Sequence, residues 1–139
     1  MNWITLSVVS AFCLTALNLL TKGILNKGVL PEVLNFWLFS LSAVGFALLT
    51  YFRGQSFQIP SSTTYLFVAL IAVVLAYNDF LVRAFSEAPN PGYVQGIVSL
   101  SMILVLVLSV IFFGSALTVS KFAGMVLVLM GISFLCFGN

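Results

Sequence analysis

Tyr93–Gly114 reads YVQGIVSLSMILVLVLSVIFFG, an apolar run that carries no charged side chain. A helix rises about 1.5 Å per residue, so about 20 apolar residues cross a hydrocarbon core of ~30 Å. Period-two alternation is missing from this run, and a helix satisfies its own backbone in lipid, so it is read as a transmembrane helix. The breaker run Ala88-Pro89-Asn90-Pro91-Gly92 opens it and Gly114 closes it. Working outward, four more segments qualify. The first covers about 3–25 and ends at Asn26-Lys27-Gly28, and the second covers about 33–52, between Pro31-Glu32 and Arg53-Gly54. The third covers about 63–85, after Pro60-Ser61-Ser62, where serine is expected to cap the free amides, and the fifth covers about 120–137. Proline at a first turn and glycine past a last turn are the expected boundary signals. The fold class that follows is all-α integral membrane, with five transmembrane helices in a single domain over 1–139.

Composition agrees. Hydrophobic residues make up 62% of the chain and charged residues 6%, against about a quarter charged in a soluble domain. The mean hydropathy of +1.23 makes lipid the solvent for most of the chain. The amino-terminal Met-Asn-Trp-Ile-Thr lacks a basic signal region and reads as a retained first helix. A net charge of +2 points to no nucleic-acid partner. With no histidine, only Glu32, Asp79 and Glu87 as acids, and short connections between spans, triads and metal hydrolases have nothing to stand on. Cys13 and Cys136 sit in apolar runs without metal-ligand spacing, so they read as inert thiols. Neither a metal nor an organic cofactor is expected, and the chain is not read as an enzyme.

An odd number of spans places the two termini on opposite sides of the membrane. Arg53 and Lys121 then lie on one side, and Lys22, Lys27 and Arg83 on the other. Counting the α-amino group, the positive-inside bias is nearly nil. One reading is dual topology, in which copies insert both ways and meet antiparallel; the other is that a single basic residue still fixes one orientation. Substrate pathways of transporters usually lie between two repeats related by an in-plane pseudo-two-fold axis, and an inverted pair supplies that arrangement from one sequence.

At 100° per residue the polar groups within the spans gather on faces. Ser7, Ser10, Asn18, Thr21 and Lys22 share one face of the first helix, Asn35 and Ser42 one face of the second, and Gln95, Ser99 and Ser109 one face of the fourth. These faces line a cavity or bond helix to helix. Asp79 is the only acid inside a span, about 6 Å from the interface at 1.5 Å per residue. It has an i,i+4 partner in Arg83, or it joins Lys22 to hold the two charges of a zwitterion. Gly124, Gly131 and Gly138 recur every seven residues on the fifth helix and mark a subunit contact or packing against the fourth. Trp3, Trp37, Tyr51, Tyr65 and Tyr93 read as interfacial anchors, with a cavity role also open to Trp37.

The stretch Tyr77-Asn78-Asp79-Phe80-Leu81-Val82-Arg83-Ala84-Phe85, followed by Ala88-Pro89-Asn90-Pro91-Gly92-Tyr93, resembles the end of the third helix and the following turn of an EamA domain. Ile111-Phe112-Phe113-Gly114-Ser115-Ala116-Leu117-Thr118 resembles that family's fourth-helix exit, and Lys121-Phe122-Ala123-Gly124 with Gly131-Ile132 its fifth helix. EamA domains belong to the drug/metabolite transporter superfamily, most members of which fuse two inverted five-helix repeats into a ten-helix chain. This chain is similar to one such half. Ser115 stands where the family often has an acidic residue, the fourth span lacks the family's common proline, and Asn35-Phe36-Trp37 stands where an early basic residue is common. The first helix also lacks the carboxylate on which the related small multidrug resistance proteins rely.

The resemblance implies export or exchange of small metabolites by alternating access. Expected partners are the lipid bilayer, a small-molecule substrate, and a second, antiparallel copy or a homologous half, in a multi-pass protein of the inner or plasma membrane. The residues expected to bind substrate are Asn18, Lys22, Asn35, Trp37, Asn78, Asp79, Gln95 and Ser99. A lipid-linked sugar flippase subunit and a non-transporting scaffold are the alternatives.

Overall fold

The computed structural model describes residues 2–114 and 118–137, and these are helical with short connections. Ser115 and Gly138 lie outside the described residues, as do the side chains of Trp3 and Cys136. The helices are α1 (Trp3–Leu25), α2 (Pro31–Phe52), α3 (Thr64–Glu87), α4 (Pro91–Val98), α5 (Leu100–Phe113) and α6 (Val119–Phe137). The α1, α2 and α3 regions and the α4–α5 pair are each long and apolar enough to cross a membrane. The 19 residues of α6 extend about 28 Å, close to the thickness of a hydrocarbon core. Met1–Glu87 and Ala88–Asn139 form two compact units.

Local chemistry sets the ends. The Asn2 side chain accepts from the Ile4 amide at the start of α1, and Asn90 Oδ1 accepts from the Gly92 amide at 2.8 Å at the start of α4. Pro31 and Pro91 occupy first-turn positions where a missing N–H leaves nothing unsatisfied, so α2 and α4 each begin two residues earlier than the apolar runs indicate. The end of α2 is closed by paired bonds from Gln55 to the Thr50 carbonyl (3.1 Å) and from Gly54 to the Tyr51 carbonyl (3.0 Å). Gly54 takes a left-handed φ of +62° to make them.

One expectation is corrected, and one span carries a local irregularity. No serine side chain caps the third span; Ser61–Thr63 forms a 3-10 turn in which the Thr63 amide (2.9 Å) and hydroxyl (2.8 Å) both donate to the Pro60 carbonyl. The fourth span is interrupted at Ser99, which has ψ −11° and whose Oγ donates to the Gly96 carbonyl. A serine hydroxyl bonding back to its own helix competes with the regular ladder, and here a 3-10-type bond from the Met102 amide to the Ser99 carbonyl (3.0 Å) carries the chain into α5.

Within the first unit, α1 and α2 both pack on α3. Its buried residues are Asn18, Thr21 and Leu25 late in α1, Leu34 early in α2, and Leu81, Val82 and Phe85 late in α3. Successive helices alternate in direction, so these stretches meet at one end of the unit. Residues 4–17, 43–49 and 64–73, toward the other end, are exposed and predominantly apolar, a surface suited to lipid or to another protein. The polar face expected on α1 therefore divides by depth: Ser7 and Ser10 are exposed, whereas Asn18 and Thr21 are buried. In the second unit α4 packs on α6, and Val94, Ile103 and Ile132 are buried. A Cβ built on Gly124 or Gly131 would meet nothing within 4 Å, so these glycines do not bring α6 against α4.

Candidate functional site

The end at which the first unit packs is also where its charges collect. Arg83 Nε donates to Asp79 Oδ2 at 2.9 Å, one helical turn away, and Arg83 Nη2 donates to Glu32 Oε1 of α2 at 2.9 Å. One guanidinium thus bridges two carboxylates and joins α2 to α3, in the fork geometry that arginine alone offers. α3 continues to Glu87, so Asp79 stands about 12 Å before the end of its helix. The three side chains remain 52% (Arg83), 58% (Glu32) and 40% (Asp79) exposed. Ion pairs this open contribute little to stability in water.

Beside the bridge, α2 and α3 enclose a recess of about 450 Å³, lined by Glu32, Asn35, Phe36, Phe39, Ser40, Leu75 and Asp79. Asn35 Oδ1 is buried and has no hydrogen-bond partner. A buried acceptor left without a donor costs about 1–3 kcal/mol. An apolar residue of similar size would escape that penalty.

A second depression, of about 800 Å³, lies between α1 and α2. Its walls are almost wholly apolar, from Cys13 and Leu17 on α1 to Trp37 and Leu41 on α2, with Thr21 and Ser42 as its hydroxyls.

The expected binding residues fall into several settings. Asn35 and Asp79 come together in the recess. Trp37 lines the apolar groove instead and packs edge-on against Phe36, with ring centroids 5.5 Å apart. Lys22 does not meet Asp79: its Nζ donates to the Phe85 carbonyl at 2.9 Å. Asn78 Nδ2 donates back to the Val74 carbonyl at 3.2 Å within its own helix. Asn18 is buried in α1, and Gln95 and Ser99 are half-buried in the second unit. Glu32, read only as a helix-start signal, is the residue the sequence reading missed. Antiparallel neighbours place the start of α2 and the end of α3 at one level, and Glu32, Asn35 and Phe39 at i, i+3 and i+7 share a helical face; that spacing was the available signal.

The model of the EamA-like transporter family matches residues 1–137. The chain belongs to the EamA-like transporter family. No curated protein and no solved structure matches it significantly. Membership in EamA makes the chain a multi-pass membrane protein of a transporter family. Ionisable groups within membrane spans face protein or water rather than lipid, which bears on the charged bridge and its recess.

Proposed function

We propose that this protein moves small metabolites across the cell membrane by alternating access, as a homodimer of oppositely oriented copies. One observation carries the proposal: the Glu32–Arg83–Asp79 bridge is half exposed on helices that otherwise present apolar side chains. Charged groups on a membrane-spanning surface are expensive against acyl chains, so this face requires a water-filled path or a covering protein. A second copy in the opposite sense provides both, and it makes from one chain the two inverted halves that transporters usually build from repeats. Asn35 and Asp79, with Glu32, are the residues proposed to touch solute. Asn18, Lys22, Trp37, Asn78, Gln95 and Ser99 serve packing or other parts of the path.

The apolar groove between α1 and α2 favours a second reading, in which the solute is a lipid-linked sugar whose chain lies in that groove. Flux measured in liposomes that contain only this protein tests the transporter reading. Saturable uptake of labelled amino acids, sugars or nucleotides supports it. Absence of flux across such a panel leaves a non-transporting scaffold.

A further inference from the structure

We infer that the apolar groove between α1 and α2 holds a phospholipid of one bilayer leaflet, with its chains in the groove and its anionic headgroup at Lys27. The site does not depend on whether the chain carries a solute. Length makes the first argument. On α1 the lining runs from Cys13 to Ile24, and on α2 from Val33 to Ser42. Cys13 and Ser42 lie close to the midpoints of their helices, while Ile24 and Val33 lie at the ends next to the turn that joins them. The groove is therefore about 16 Å long and occupies the half of the two spans nearest that turn. Each leaflet supplies about half of a ~30 Å hydrocarbon core, so this is the depth that one lipid reaches.

Width and charge narrow the occupant further. A volume of about 800 Å³ spread over that length leaves a cross-section of about 50 Å², whereas a helix about 10 Å across needs roughly 80 Å². A span of a second copy does not fit, and slimmer hydrocarbon chains do. Leu20 and Leu41, on opposite walls, are exposed, so the groove opens sideways to the bilayer. Its lining carries no charge and gives water little to bond, so the chains of surrounding lipid are what fill it. Lys27 is exposed in the turn between Ile24 and Val29, both of which line the groove, and it makes no ion pair among the described residues. Glu32, the next acid along the chain, is committed to Arg83 of α3. A basic side chain at headgroup level attracts anionic lipid.

The test uses the full chain with Trp3→Phe, which leaves Trp37, on the groove wall, as the one tryptophan. The protein is reconstituted in phosphatidylcholine vesicles that contain a rising fraction of phosphatidylglycerol or phosphatidylcholine with brominated chains, because bromine quenches a tryptophan that it touches. Half-maximal quenching is expected at a fraction about fivefold lower for phosphatidylglycerol than for phosphatidylcholine. A reporter moved to an exposed position of α3, by Trp37→Phe with Leu70→Trp, should show no such preference. Lys27→Gln should abolish the preference, and Ala16→Phe, which fills the groove from α1, should lower the quenching of Trp37 by both lipids. Equal quenching of Trp37 by the two lipids, or the same preference in the Leu70→Trp reporter, overturns the site. No quenching of Trp37 by either lipid means that protein covers the groove, and overturns it as well. Relief of quenching by a polyisoprenyl phosphate, at fractions where unbrominated phosphatidylglycerol has no effect, overturns the phospholipid assignment in favour of a lipid-linked carrier. Quenching is read without solute, so failure of the lipid site and failure of the transporter reading are distinct results.

Discussion

Replacing Lys22 with methionine should destabilise the protein by about 2 kcal/mol, and the reason lies in a carbonyl 63 residues away. The last four carbonyls of a helix have no partner within it. Phe85 belongs to this group, and the residue four positions on is Pro89, which has no N–H to offer. Its side chain is 1% exposed, so its surroundings are dry. Lys22 Nζ, at 2.9 Å, is the donor that satisfies this carbonyl. Hydrogen bonds to a charged group contribute about 1.5–3 kcal/mol, and a cation at a helix C-terminus adds about 0.3–1 kcal/mol. Part of that is offset by the freedom that the long lysine side chain regains once released. A net loss of about 2 kcal/mol corresponds to a roughly thirty-fold shift of the unfolding equilibrium. Methionine keeps the apolar stem, so the change isolates the ammonium. Reversible unfolding in mixed micelles, followed by circular dichroism, is the assay. Lys22→Arg, which keeps a cation with donors, should stay within about 0.5 kcal/mol of the wild type. A loss below about 0.5 kcal/mol for Lys22→Met would refute the idea that this bond closes α3.

Three further expectations test other parts of the structure. Gly54→Ala should destabilise by about 1–2 kcal/mol, because φ is +62° and nothing lies within 4 Å of a new Cβ, so the effect is conformational alone; Gly23→Ala, equally uncrowded but within α1, should stabilise by about 0.5–1 kcal/mol. Denaturation curves of the two proteins check this, and shifts of the same sign contradict it. Asp79→Asn should lower saturable flux in proteoliposomes about tenfold or more; unchanged uptake would take Asp79 out of the mechanism. Cys13 is exposed on the wall of the apolar groove, so in a Cys136→Ser background it should react with a lipid-soluble maleimide and resist a charged one; equal labelling by both would mean that the groove is filled with water.

The spans are legible in the sequence because length and hydropathy decide them, and Pro31, Gly54, Pro91 and Gly114 mark their ends through backbone constraints that act locally. The Asp79–Arg83 pair is legible for the same reason, since i,i+4 spacing is a property of one helix. Glu32–Arg83 and Lys22–Phe85 join residues 51 and 63 positions apart. They depend on how α1, α2 and α3 rotate and slide against one another, and a hydropathy pattern that is apolar on most sides does not fix rotation. Helical faces brought Asn35 and Ser42 together on paper, yet they border different depressions, because that face lies between two neighbours. The interruption at Ser99 is a contest between a hydroxyl and the helix ladder, and composition carries no sign of its outcome.

The proposed inverted pair requires that the chain cross the membrane five times and insert in both senses. Different cleavable tags at the two termini of the full chain, exposed to protease in sealed, uniformly oriented membrane vesicles, test it molecule by molecule. Every chain should lose one tag and keep the other, with the two outcomes in comparable numbers. Chains that lose both tags or keep both contradict the crossing number, and one outcome alone contradicts the inverted pair.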